Sequence, residues 1–538
     1  MGQSESSDTR LMYANVMDFA IKIRPPDKMN IINAGRDVVS IFQEILNSEC
    51  LISCQRFKHQ SSTFKMYIKG YPFSHQGKST LYFKVVFLKI LDRLYQSLEM
   101  VPFISSDLSL INDTSTIFFK KVKKVDQSGK YACIAPSGID SLYLLSLPSN
   151  AVKNIIEEVD NSWGIYSEVE EKISNCFKIK MNGSPWGPGG KGEKATKIRR
   201  LLLKIFAIMK SSQYRYVTNI NMKGTTDNLF FRFDPTLVPD NNLAFVLYLS
   251  KKNRLRFIDG PENVTTQIKN TINQFWSGGV TCERIYNDAL EFKISGCPWS
   301  AHSYAAANSR MLTSIILKEI RNLGYQTIAT LDISRRSDDK SIFVFGGGSG
   351  FQISPDLNIK WTCLYFCGRN KLMLVGVHED VVSILQDCLK PLKEDNGKKE
   401  GDIYLWKFTS NVFSYGNNSS KEIFCIILLS IYRRMQAIGW FLTSSADVSS
   451  KTIERNDTRE SYDAHSWYFL CTTSASSKKS KWCVAPRLTA HINRGIKSCG
   501  ILSFHIIPKM SPLKGKFMIN SSTHIIAMKK FMLCHYLI

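Results

Sequence analysis

The chain has 538 residues, with 44% apolar and 22% charged side chains, so it has the make-up of a globular protein long enough for three to five domains. No run of 18 uncharged apolar residues occurs and the start, Met1-Gly2-Gln3-Ser4, is polar, which argues against a transmembrane helix and a secretory signal. The net charge is +24, but Asp463 is the last acidic residue, and eleven Lys and Arg beyond it leave only +13 on the first 463 residues.

Met1-Gly2-x-x-x-Ser6 fits an N-myristoylation signal. One acyl chain binds membrane with an affinity of only about 10⁴ M⁻¹ and needs a second, basic contact. Acylation at Gly2 therefore places the chain in the cytoplasm, at the inner face of a membrane.

A repeat dominates the rest. Phe64-Lys-Met-Tyr-Ile-Lys-Gly70-Tyr-Pro72-Phe73 returns as Phe177-Lys-Ile-Lys-Met-Asn-Gly183-Ser-Pro185-Trp186, as Phe292-Lys-Ile-Ser-Gly296-Cys-Pro298-Trp299, and in worn form as Trp406-Lys-Phe-Thr-Ser-Asn-Val-Phe413. Gly70, Gly183 and Gly296 are 113 residues apart. Each segment leads into an apolar-periodic run with helical spacing: Leu81–Leu98, Ile198–Met209, Met311–Leu323 and Ile423–Ile438. Gly324 and Gly439 stand as terminators of the last two. A strand follows each run, carrying Asp107, Asn219, Asp332 or Asp447, and then an aromatic strand such as Ile117-Phe118-Phe119. Before each Pro-aromatic segment lie a short strand and a short helix, so the unit reads strand, strand, helix, strand, long helix, strand, strand.

The fold class is therefore α+β: about four homologous units, each with mixed or antiparallel strands packed on two helices, plus an irregular C-terminal tail. The expected divisions are a flexible start over 1–12, repeats over 13–125, 126–238, 239–352 and a divergent 353–475, then an incomplete fifth repeat and basic tail over 476–538. The fifth repeat is suggested by Trp482-Cys-Val-Ala-Pro486, which echoes the entry strand Tyr131-Ala-Cys-Ile-Ala-Pro136.

Comparing copies disposes of several motifs. Gly70 to Thr80 resembles a phosphate loop, but six residues separate Gly70 from Gly77 where a Walker loop has four, and only one copy carries Gly-Lys-Ser. The recurring Gly, Pro and Trp read as a strand end whose ring caps the core. Asp107, Asp332 and Asp447 precede polar turns, where the carboxylate serves local backbone. Cys50-x3-Cys54 and Cys363-x3-Cys367 lack second pairs, so no metal or cofactor is expected. The best anion, lipid or nucleic-acid surface is the cationic stretch Lys191, Lys194, Lys197, Arg199, Arg200 and Lys204, where several can share a helix face.

The favoured function is a non-enzymatic scaffold that binds other proteins through linked modules. The alternatives are nucleic-acid binding through basic helix faces, including Arg335-Arg336 and Arg433-Arg434, and an enzyme of unrecognised type.

Overall fold

The computed structural model describes residues 18–74, 78–108, 114–123, 129–170, 175–187, 192–223, 226–237, 244–301, 303–333, 340–347, 357–413, 419–449, 452–455, 458–461 and 465–474. Gly2, Lys191, Arg335, Arg336 and the proposed fifth repeat lie outside the described residues.

Repeat 1 runs β1 (Phe19–Arg24), β2 (Lys28–Ile32), α1 (Arg36–Asn47), β3 (Cys54–Gln60), β4 (Thr63–Ile68), α2 (Lys78–Leu98), β5 (Met100–Ser106), β6 (Thr116–Lys121). Repeat 2 follows as β7 (Tyr131–Ser137), β8 (Ser141–Leu145), α3 (Ser149–Ser162), β9 (Ile165–Glu170), β10 (Cys176–Met181), α4 (Glu193–Ser211), β11 (Tyr214–Ile220), β12 (Asn228–Phe233). Repeat 3 is β13 (Phe245–Ser250), β14 (Arg254–Ile258), α5 (Glu262–Phe275), β15 (Val280–Tyr286), β16 (Ala289–Ile294), α6 (Ser303–Asn322), β17 (Tyr325–Leu331), β18 (Ile342–Gly347). Repeat 4 is β19 (Leu357–Cys367), β20 (Lys371–Val375), α7 (Glu379–Leu389), β21 (Lys398–Glu400), β22 (Ile403–Lys407), α8 (Ser419–Ala437), β23 (Trp440–Ala446), then a hairpin of β24 (Thr452–Arg455) and β25 (Thr458–Ser461), and β26 (Ser466–Ser474).

Each repeat forms one six-stranded antiparallel sheet with the same order; in repeat 1 it is β3-β4-β2-β1-β6-β5. Repeat 4 is worn in sequence and complete in topology, though its outer strand β21 is short. The expected order had one strand between the two helices; there are two. The missed strand is the outer edge, β3, β9 or β15. In β3 and β15 nearly every residue is exposed, so no apolar alternation marks them.

The strands nearest the middle of each sheet read as near-continuous apolar runs, Phe19–Ile23, Tyr131–Ala135 and Phe245–Leu249, because both sheet faces are covered. Phe19, Ile21 and Ile23 enter the core with α1 and α2, whereas Ala20 enters the core of repeat 4. Every core is shared in this way. The helices of one repeat lie between its own sheet and the sheet of the next: α2 packs on β7, α4 on β13, α6 on β19 and α8 on β1. The last contact closes a ring. Around its centre the inner edge strands follow in cyclic order, β5 beside β11, β11 beside β17, β17 beside β23, and β23 beside β5.

Four equivalent backbone hydrogen bonds hold the joints between repeats. The N–H of Ser115, Asp227, Ser341 and His465 donates to the carbonyl of Asn221, Asp332, Asp447 and Asp107, at 2.8, 2.9, 3.0 and 2.9 Å. Asn221, not Asn219, thus occupies the place of the three aspartates. The long helices α2, α4, α6 and α8 are each followed by a residue of positive φ: Glu99, Gln213, Gly324 and Gly439. Glycine marks the helix end in two copies only, which is why sequence showed it there alone.

Candidate anion-binding joint between repeats 2 and 3

The aromatic residues of the repeat motif lie in the core. Phe73, Trp186, Trp299 and Phe413 are buried, and their backbone N–H groups donate to Pro26, Ile139, Lys252 and Arg369 carbonyls at 3.0, 3.0, 2.9 and 3.0 Å. Gly70, Gly183 and Gly296 sit at φ +88, +67 and +70°, which a side chain resists. Pro72, Pro185 and Pro298 are buried just after them. The Asp447 carboxylate accepts from the Ser449 N–H at 3.1 Å, and Asn221 Oδ1 accepts from the Lys223 N–H at 3.2 Å, as local turn-formers do. Asp107 and Asp332 hold the equivalent joints through their carbonyls.

The cationic stretch of α4 is not the open surface its sequence suggests. Arg199 is buried, its guanidinium over the Tyr248 ring of repeat 3 at 4.4 Å. Arg200 pairs with Asp259 at 3.0 Å, Lys204 with Glu158 at 2.6 Å and Lys197 with Glu193 at 2.8 Å. Lys194 is exposed. Period 3.6 drew these residues together, but acids from α4 itself, from α3 and from the turn after β14 pair with them, and Tyr248 of β13 covers Arg199. Arg433 and Arg434 are likewise paired, with Asp18 and Asp387.

A denser cationic cluster lies where α4 begins. Glu291 of β16 is 1% exposed and takes three guanidiniums: Arg256 of β14 at 2.6 Å, Arg284 of β15 at 2.9 Å and Arg254 of β14 at 3.2 Å. Strand register dictates this, since Glu291 is the direct partner of both Arg256 and Arg284. Burial alone would push the Glu291 carboxyl up; hydrogen bonds and charge from Arg256, then Arg284 and Arg254, outweigh it and hold it below the usual carboxylate range. The Tyr286 ring lies under Arg256 at 4.2 Å and Arg284 at 5.1 Å. A Cβ on Gly192, the residue that opens α4, would come within 3.6 Å of the Tyr286 hydroxyl. Sequence reading missed Arg254, Arg256, Arg284 and Glu291 because they meet only across strands; the alternation Arg254-Leu255-Arg256 was the available signal.

Near the ring centre, the same joint holds a buried polar chain. Tyr216 donates to Asn219 at 2.8 Å, and Asn219 and the Asp332 N–H both donate to Asp227 Oδ2, at 2.5 and 2.6 Å. Burial pushes the Asp227 carboxyl up to about 7 despite those bonds. Asp92, which accepts from the Tyr131 N–H at 2.7 Å in the joint between repeats 1 and 2, is also raised by burial to about 7. A folded-state value above the unfolded 3.8 means that the folded chain keeps its proton longer, so stability falls as pH rises from about 4 to about 7 and then levels off. Urea midpoints measured across this range should show that fall, and Asp227→Asn should flatten it; an unchanged slope would refute the assignment.

Among the described residues no group of His, Cys, Asp or Glu could hold a metal ion, and no helix is long and apolar enough to cross a membrane. No curated protein and no solved structure matches the chain. One domain-family model matches it four times, over residues 19–109, 130–232, 244–346 and 360–470. Each match falls on one of the four sheets, the first ending before β6, and together they span most of the sequence, so the chain belongs to that domain family and carries its domain in four tandem copies.

Proposed function

We propose that this chain is a non-enzymatic scaffold that binds other proteins around the rim of its ring and is tethered to a membrane by N-myristoylation at Gly2. The observation that carries the reading is the repeated outer edge. β3, β9 and β15 each present an exposed large side chain, Phe57, Tyr166 and Ile285, on a strand that among the described residues has no neighbour on its outer side. An open edge is a surface for strand addition by a partner peptide. A bulge near the start of each limits this pairing to the regular stretch beyond it; Phe57 and Ile285 stand on that stretch, whereas in β9 the bulged residue is Tyr166 itself, which flanks it. Linked copies of such a surface multiply weak contacts. Nucleic-acid binding finds less support, because Arg433, Arg434, Arg200 and Lys204 are already paired within the chain.

The test uses affinity capture with quantitative mass spectrometry. Tyr166→Lys and Ile285→Lys, both at exposed positions, should each reduce partner recovery and together abolish it; recovery equal to wild type in the double variant would refute rim binding. Intact-mass measurement of the mature N-terminus should show the myristoyl adduct, absent in Gly2→Ala. A retained Met1 would remove the tether.

A further inference from the structure

We infer that the mouth of the joint between repeats 2 and 3 is a binding site for the phosphoryl group of a phosphate monoester, held by Arg284, Arg254 and Lys293 beside the start of α4. The cations share one sheet face. Register places Arg284 opposite Glu291 and Lys293 opposite Arg254, so Arg254, Arg256, Arg284 and Lys293 surround the single carboxylate of Glu291. Of the acids nearby, Asp259 pairs with Arg200, Glu283 with Lys269 at 2.6 Å, and Glu193, at the helix start itself, with Lys197 at 2.8 Å.

Three guanidinium fans face one carboxylate with about four acceptor positions, so N–H donors are left over. Those of Arg256 are buried and spent on Glu291 and the Tyr248 hydroxyl. Those of Arg284 are not: its side chain is 48% exposed and donates to Glu291 through Nε, and among the described residues its terminal nitrogens have no hydrogen-bond partner. Lys293 is exposed on the neighbouring strand. Glu291 fixes the Arg284 fork from behind and Tyr286 supports its flat face. A pre-oriented guanidinium loses little entropy on binding and matches phosphate oxygens two at a time. The Gly192–Glu193 entry to α4 adds the positive end of a 19-residue helix at the Tyr286 hydroxyl. The corresponding pairs in the other repeats lack this set: Glu291 is replaced by Lys65, Lys178 and Leu405, and Arg256 by Asn30, Tyr143 and Met373.

The experiment titrates the full chain with glycerol phosphate, against sodium chloride of equal ionic strength, by calorimetry. Wild type should bind. Arg284→Gln and Lys293→Gln should each weaken binding about tenfold, the loss of one charge-assisted contact. Lys269→Gln should not. Lys293 is an exposed residue, so its variant keeps the test valid if Arg284→Gln fails to fold. Flotation with phosphatidylcholine vesicles, with and without a phosphoinositide, separates the ligand sources. Binding in solution alone assigns a soluble ester; flotation that is lost in Lys293→Gln assigns a lipid headgroup. Heat no greater than the chloride control together with no flotation, or wild-type binding by both Gln variants, would overturn the site.

Discussion

Glu291→Ala should destabilise the chain by about 3–5 kcal/mol, the cost of leaving a buried charge without its partner. The charge in question is Arg256, whose side chain is 5% exposed and lies between β13 and β16, against the Tyr248 and Tyr286 rings. It cannot swing into water without vacating that face. Arg284 can, so Arg284→Gln removes only a half-exposed pair and should cost about 1 kcal/mol or less. The ratio between the two variants is the diagnostic quantity in urea unfolding. Equal small losses would show that Arg256 finds other compensation. Glu291→Gln should fall between them, because the amide oxygen still accepts one guanidinium while the charge is gone.

The repeat and the helices were legible in the sequence, because each depends on local spacing repeated at 113 residues. The ring was not. Its closure rests on contacts such as the His465 N–H to the Asp107 carbonyl, which no periodicity records. The candidate site was illegible for a related reason. Helical spacing pointed to Arg199, which turns inward, whereas Arg254, Arg284 and Glu291 are gathered by strand pairing. Position-by-position divergence of the copies also gains a meaning only in the ring. One slot on each long helix faces the first strand of the next repeat. It holds Lys84 toward Cys133, Arg199 toward Tyr248, and Arg310 toward Tyr365 at 3.9 Å. At the closing joint the types exchange, with Cys425 on α8 and Lys22 on β1. Burial pushes the Lys84 ammonium down.

That closing joint gives the second large effect. Arg433 of α8 donates through Nε and Nη2 to both oxygens of Asp18, which immediately precedes β1 and is fully buried. The partners are 415 residues apart in the chain. Around them Glu422 accepts from Asn30 at 3.0 Å and pairs with Lys65 at 3.4 Å, and Phe103 stacks on Tyr432 at 4.2 Å. Arg433→Ala leaves the Asp18 carboxylate buried beside the start of the first sheet, and should cost about 3–5 kcal/mol. Arg433→Lys keeps the charge and loses the two-pronged fit, so it should recover only part of this. The loss should also be local. In hydrogen exchange, amides of β1, β6 and α8 should lose protection, while β13 and β18, on the far side of the ring, keep theirs. Uniform loss across all four sheets would mean that the ring unfolds as one cooperative body. A loss confined to the first and last repeats would identify this ion pair as the clasp that turns a linear array of four units into a closed one.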